Sequence, residues 1–359
     1  MLNHPSIVEQ IQYDNKLIIK LKNPKFDVFF RKDAAQSPAL LPVESQVNPS
    51  KHINKTVFAI SFCARYGHML LEGLAVALQL KNAVGLKDLV IAAPMPVDPK
   101  TGLFFHFLDG SKYPYFDDEI DDKEHKYNLS CLEGIKSNYR TIPDFCKYFG
   151  LTLTCINTHD FVGTSFDYAY FVYGKFANYD EGFKFVDSTY TESVLPNSLI
   201  PTSFDDYQMV MPVSSSLIHW GSFKSLKDSY PKFDLIPGKK IYVSRKNFPD
   251  RNFSEEEKIE EHLKSLNYDI VYFENLTILE QVKACQEAQK IVCLYGSNLL
   301  NCGFSSYKTR VISIKYKIDP FSPPINGFYN LIFQQGNIEH KELEYNGDDL
   351  LGFIKEKIR

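Results

Sequence analysis

Four short stretches hold residues whose types and spacing suit chemistry. Ser244-Arg245 closes an apolar run, Lys240-Ile-Tyr-Val, and Arg251 stands in the loop that follows. A guanidinium fork at a strand end can hold a diphosphate bidentately, and a second cation strengthens the grip; a surface ion pair is the plainer alternative. Tyr295-Gly296-Ser297-Asn298 follows another apolar run, Lys290 to Leu294, and opens a short helical pattern. A glycine turn with a hydroxyl and unpaired helix-start amides suits a phosphate, although a simple turn capped by serine reads as well. Gly67-His68-Met-Leu-Leu-Glu72 puts an imidazole and a carboxylate four apart, on one face of a helix. Such a pair could take a proton from a hydroxyl, or be a structural pair at a helix start. The fourth stretch, Asp117 to Asp122, is acidic but lies in irregular sequence with no strand beside it, so a solvated loop is favoured over a metal site. His106, His125, His159 and His219 lack metal-ligand spacing, and neither a GxSxG elbow nor a Walker loop is present.

The elements that must position these residues are clearest between Lys239 and Tyr316. Apolar runs at Lys240–Arg245, Tyr268–Phe273, Lys290–Tyr295 and Arg310–Lys315 alternate with helical patterns. Two capping boxes, Ser254 with Glu257 and Thr277 with Glu280, open the intervening helices. Strands separated by single helices imply right-handed crossovers and a parallel, Rossmann-like sheet. Arg245 and Gly296 then share the carboxyl edge, where open α/β sheets bind ligands. The N-terminal half shows strands at Val57–Ser61 and Asp88–Ala93 around an amphipathic helix, Tyr66 to Asn82, then a helix at Ile142–Phe149 and a strand at Leu151–Ile156. Pro231 to Gly238 reads as the linker. The expected organisation is α/β, with two Rossmann-like domains facing a cleft. An acceptor-side domain would span 1–235 and a nucleotide-binding domain 236–359, whose last helix could pack back on the first.

Composition narrows the class. Of 359 residues, 44% are hydrophobic and 23% charged, which argues against extensive disorder. The formal net charge of −4 provides no global field for nucleic acid, so no nucleic-acid partner is expected. The seven cysteines include no CxxC pair and read as reduced, structural thiols. A polar N-terminus and the lack of a long apolar run lead to the expectation of a cytoplasmic protein, at most peripheral to a membrane. Abundant Phe and Tyr could serve a core or stack on sugars.

Taken together, the segments resemble glycosyltransferase family 61. The resemblance rests on Ser244-Arg245, Arg251, Glu255-Glu256, Glu274-Asn-Leu-Thr277-Ile-Leu-Glu280-Gln281-Val282, Tyr295-Gly-Ser-Asn-Leu-Leu-Asn301 and Gly67-His68-Met-Leu-Leu-Glu72. It implies a B-type two-domain fold and an inverting transfer, without a metal ion or other cofactor, from a nucleotide-sugar donor to a glycan or surface-polysaccharide hydroxyl. Arg245, Arg251, Tyr295, Gly296, Ser297, Asn298 and Glu280 would face the donor, and Glu72 with His68 would supply the base. The chain departs from the family pattern where Tyr295 replaces His, Asn298 replaces Gly, Glu255 replaces Asn and Ser313 replaces Glu. A catalytically silent glycan- or nucleotide-binding protein, or a sialyl- or pyruvyl-transferring enzyme, are the alternatives.

Overall fold

The computed structural model describes residues 2–14, 16–31, 34–43, 51–61, 66–93, 141–157, 161, 164–175, 199–201, 203–204, 207–209, 220–247, 255–296, 298–316, 329, 332–334, 336–345 and 347–358. Contacts divide the chain into two compact units, Met1–Glu119 with Ile142–Leu226 and Ile120–Thr141 with Lys227–Arg359.

The first unit is built on a mixed sheet. Strands β1 (Ile7–Tyr13), β2 (Lys16–Lys22), β3 (Lys25–Arg31) and β4 (Ala34–Val43) come first, then β5 (Lys51–Ser61), β6 (Asp88–Ala93), β7 (Thr152–Asn157), β8 (Thr164–Lys175), β9 (Ser203–Phe204) and β10 (Tyr207–Met209). Along the main path the order is β1-β2-β8-β5-β6-β7. β5, β6 and β7 are parallel to their neighbours, and β8 joins the two halves, parallel to β5 and antiparallel to β2. This differs from a simple Rossmann-like half because the chain before Val43 folds into antiparallel neighbours. Tyr13 pairs with Lys16 across a two-residue turn, and Asp14 takes φ 52°, a conformation that a short polar residue tolerates.

Aromatic residues go into this unit's core. Phe26 lies 5.1 Å from Phe161, 5.8 Å from Phe166 and 5.6 Å from Phe171, ring centre to centre, among buried Leu17, Ile19 and Val57. Each such pair contributes about 0.5–1.5 kcal/mol beyond area burial.

The helix after β5 is continuous but not uniform. It runs α-helical at Tyr66–His68, π-helical at Met69–Leu74 and α-helical again at Ala75–Val84. Every residue from Met69 to Leu80 is buried, so this is an interior helix through Leu80 rather than an amphipathic one. It lies close on β5, since a Cβ added at Gly73 would come 2.8 Å from Ile60 Cδ1.

The second unit holds five strands, β11 (Lys240–Val243), β12 (Asp269–Val271), β13 (Lys290–Leu294), β14 (Arg310–Tyr316) and β15 (Glu339–Tyr345), in the order β12-β11-β13-β14-β15. All pairs are parallel. Apolar runs such as Lys-Ile-Val-Cys-Leu suit strands buried on both faces. Tyr242, Val292, Leu294, Ile312 and Ile314 pack with Ile259 and Leu263 of helix Glu256–Ser265 and with Leu350 and Ile354 of helix Leu350–Lys357. The apolar face of the last helix is therefore spent inside its own unit. Cys293 points the other way, to Cys302 of helix Asn298–Cys302, so helices cover both faces. The strand order reverses between β11 and β13, the switch point at whose carboxyl ends ligands bind in doubly wound sheets.

The linker segment is fastened to this unit. Phe233 N–H donates to Gln286 Oε1, Ile236 N–H to the Glu287 carbonyl and Gly238 N–H to Gln289 Oε1.

Candidate functional site

Arg245 follows β11 and is 7% exposed. Its backbone N–H donates to Glu256 Oε1 at 3.0 Å and its Nη1 donates to the Tyr295 carbonyl at 2.9 Å. The side chain thereby spans the switch point from the end of β11 to the end of β13. Gly296 makes room for it: φ is +149°, and a Cβ would come 2.7 Å from Arg245 Cζ. Only glycine meets both requirements without displacing the guanidinium. Tyr329 donates to the Gly296 carbonyl at 3.2 Å.

A buried carboxylate fixes the end of β11. Glu256, 1% exposed, accepts through Oε1 from the Tyr242 hydroxyl at 2.7 Å, the Ser244 hydroxyl at 3.2 Å and the Arg245 amide. Glu260, 3% exposed, accepts from Ser244 at 2.7 Å and from Tyr272 at 2.8 Å. Burial, with Glu256 next in effect, pushes the Tyr242 phenol well up, so it remains a donor. The helix starts one residue later than the Ser254 capping box predicts. Its N-cap is Glu255, which makes no side-chain cap, and Ser254 lies outside the described residues.

The neighbouring strand ends are tied to one another. Asn247 donates to Glu274 Oε1 at 2.8 Å, joining the loops after β11 and β12. Gln281 Nε2 donates to the Phe273 and Leu276 carbonyls at 2.9 and 3.0 Å, while its Oε1 accepts from Asn301 Nδ2 at 2.6 Å, joining the turn after β12 to the helix after β13. Asn298 is 8% exposed, and among the described residues its Nδ2 has no hydrogen-bond partner. The helix it opens, Asn298–Cys302, is a little over one turn long. Helix-dipole support for an anion is correspondingly small, and among the described residues Arg245 is the buried positive charge at this edge.

The other expected site residues distribute as follows. Glu280 is exposed and completes the Thr277 capping box, its Oε2 accepting from the Thr277 amide at 2.8 Å. Tyr295 packs edge-on against Tyr329, 5.4 Å between ring centres, and burial drives its phenol upward. Ser313 is fully buried and shares a 2.8 Å hydrogen bond with His340 Nε2, opposite Glu342 in the β14–β15 register. Burial lowers the His340 pKa to about 4. Glu72 is 4% exposed and lies within the π segment, while the His68 side chain lies outside the described residues. Arg251, Ser297 and Asp117 to Asp122 lie outside the described residues. Among the described residues no group of three His, Cys, Asp or Glu could hold a metal ion.

Sequence reasoning missed Glu260 and the inward role of Glu256. The available signal was their position: 256, 259, 260 and 263 follow the i, i+3, i+4, i+7 stripe that faces the core, together with Ile259 and Leu263.

A parallel five-stranded unit with a buried arginine across the reversal of its strand order, beside a unit built on a mixed sheet, defines an α/β protein. The family model Glycosyltransferase 61 matches residues 66–312, more than half of the chain, and the chain belongs to that family. This bears out the resemblance read from the motifs. Membership supports glycosyltransferase activity, with a sugar donor and a glycan acceptor in general terms. No curated protein matches the chain.

Proposed function

We propose that the chain is an inverting glycosyltransferase of the B-type fold. It moves a sugar from a nucleotide-sugar donor to a hydroxyl of a glycan or surface polysaccharide. The observation that carries the reading is Arg245, buried and held over Gly296 at the switch point of the parallel unit. In this reading Arg245 stabilises the leaving diphosphate, with Arg251, Ser297 and Asn298 assisting, so no metal ion or other cofactor is needed. Charge-assisted hydrogen bonds of this kind are worth about 1.5–3 kcal/mol each. Tyr295 and Gly296 shape the turn, and Glu280 holds the neighbouring helix start. Glu72 removes the acceptor proton, with His68 orienting it; its support is the π segment, a distortion common at functional sites. The protein works in the cytoplasm or at a membrane surface; among the described residues no helix is long and apolar enough to cross a membrane.

Tyr295 favours one second reading. A phenol kept neutral by burial and packed on Tyr329 cannot shuttle protons near neutral pH as the histidine of the family pattern could, which suits a silent binding protein. Calorimetry with UDP, GDP and inorganic pyrophosphate, followed by a donor-hydrolysis assay in excess chelator, tests both. Binding that Arg245→Ala weakens ten- to hundredfold, with turnover that survives the chelator, supports the transferase. Binding without turnover across a broad donor and acceptor panel supports the silent protein, and binding unchanged in a folded Arg245→Ala variant overturns both.

A further inference from the structure

We propose that Lys240, Lys290 and Arg310 form a site for a phosphate group at the amino edge of the five-stranded sheet, an inference that goes beyond the transferase reading and does not depend on it. The three residues begin β11, β13 and β14, at the opposite end of these strands from Arg245 and Gly296. They stand level, Lys240 paired in register with Lys290 and Lys290 with Arg310. Register partners share a face and side chains alternate along a strand, so all three lie on the side of Tyr242, Val292 and Ile312. Tyr268, 3% exposed, precedes β12 and stands beside Lys240. Its ring gathers the row: Lys240 Nζ lies 5.4 Å and Lys290 Nζ 5.7 Å from the ring centre. Two ammoniums thus converge on one fixed ring. The place is open to a ligand, because Lys240 and Lys290 are only half-buried and Arg310 is exposed.

Like charges directly opposite on neighbouring strands repel. Burial lowers the Lys290 pKa, and Lys240 and Arg310 lower it further. Lys240 donates to the Leu266 carbonyl at 3.2 Å, a neutral group, and Arg310 Nε meets Glu339 Oε1 at 2.9 Å in a solvent-exposed pair. Among the described residues, this register row sets three cations against one carboxylate. A phosphate monoester carries about −1.5 to −2 charge near neutral pH and presents three oxygens. That matches the excess charge and its delivery from three strands spaced about 4.8 Å apart. A carboxylate, with one charge and two oxygens, matches neither. Phosphate compounds in solution and the headgroup of an anionic phospholipid offer the same chemistry. Tyr307, 61% exposed, lies on the same edge, since the Thr309 hydroxyl donates to the Ala288 carbonyl just before β13; beside a headgroup this ring would enter the membrane surface.

Titration calorimetry with glycerol 3-phosphate tests the soluble source. Sedimentation with vesicles of phosphatidylcholine, with and without phosphatidic acid, tests the headgroup, and thermal melting checks folding. Binding in either arm should weaken at least about tenfold when Lys240→Gln and Lys290→Gln are combined, and stay within about twofold of wild type in Arg245→Ala. Arg310→Gln, at an exposed position, should weaken the same binding and keeps the test decisive if the double variant does not fold. Binding of glycerol 3-phosphate alone assigns a soluble phosphate compound; binding to phosphatidic-acid vesicles that Tyr307→Ser also weakens assigns a membrane surface. Absence of binding in both arms overturns the proposal, as does binding that survives these lysine and arginine substitutions or is lost in Arg245→Ala. The row would then serve only the helix end whose Leu266 carbonyl Lys240 holds.

Discussion

Arg245 and Gly296 occupy one volume that only their particular pairing permits: the guanidinium lies where a side chain at 296 would begin. Gly296→Ala therefore adds a steric conflict at a backbone conformation, φ +149°, that L side chains rarely adopt. The variant should lose about 1–3 kcal/mol of stability and bind pyrophosphate about as weakly as Arg245→Ala. Urea unfolding and calorimetry check both halves. Wild-type pyrophosphate affinity in Gly296→Ala would show that the arginine's position over the glycine is irrelevant to anion binding.

Removing the Glu256 carboxylate takes an acceptor from Tyr242 Oη, Ser244 Oγ and the Arg245 amide in a buried place. Ser244 retains Glu260, so the cost falls mainly on the other two. Glu256→Ala should lower unfolding free energy by about 2–4 kcal/mol, whereas Glu256→Gln, which keeps an acceptor oxygen, should cost less than half of that. Equal losses in the two variants, measured by urea denaturation, would mean that charge rather than the hydrogen bonds matters there.

If Glu72 is the base, Glu72→Gln should slow turnover about 10²–10⁴-fold with little change in donor affinity. His68→Ala should lower turnover and shift the acid limb of the pH–rate profile. Single-turnover kinetics with a transferable acceptor decides this, and near-normal rates in both variants would reduce the pair to a helix start.

His340 predicts an acid-sensitive stability. Its pKa falls from 6.5 to about 4 on folding, so below pH 6.5 the unfolded chain binds the proton that the folded chain refuses. Its stabilising contribution is complete above pH 6.5 and declines as the pH drops toward 4, with a slope of at most about 1.4 kcal/mol per pH unit. His340→Gln should flatten that part of a stability–pH curve relative to wild type. An unchanged slope in this variant would show that other groups govern the acid limb.

Much of the second unit was legible in the sequence because parallel strands buried on both faces must read as apolar runs, and single helices must connect them. Lys240 to Val243, Lys290 to Leu294 and Arg310 to Tyr316 are of this kind. β15 was not legible: Glu-His-Lys-Glu-Leu-Glu-Tyr lies at the end of the sheet order and carries charges along its length, as an exposed edge tolerates. The N-terminal hairpins were hidden for a different reason. Lys16 to Lys22 alternates only weakly because four consecutive residues, Leu17 to Lys20, include three that are buried, so the period-2 signal is blurred. The candidate site divided similarly. Arg245 and Gly296 could be placed from strand ends alone, whereas the burial of Glu256 and the hydrogen bond from Asn247 to Glu274 depend on tertiary packing that local spacing does not encode.

The hydrogen bonds from Asn247 to Glu274, and from Asn301 through Gln281 to Phe273, tie together the described segments that follow β11, β12 and β13. Segments free to move separately would each have to be immobilised by an arriving ligand, at an entropic cost of about 0.5–1.5 kcal/mol for every side chain stilled. For Asn247, Glu274, Gln281 and Asn301 that ordering is completed during folding. Cutting the chain of contacts at Gln281, which touches no part of the proposed ligand, would return the entropy to the free protein and weaken binding from a distance.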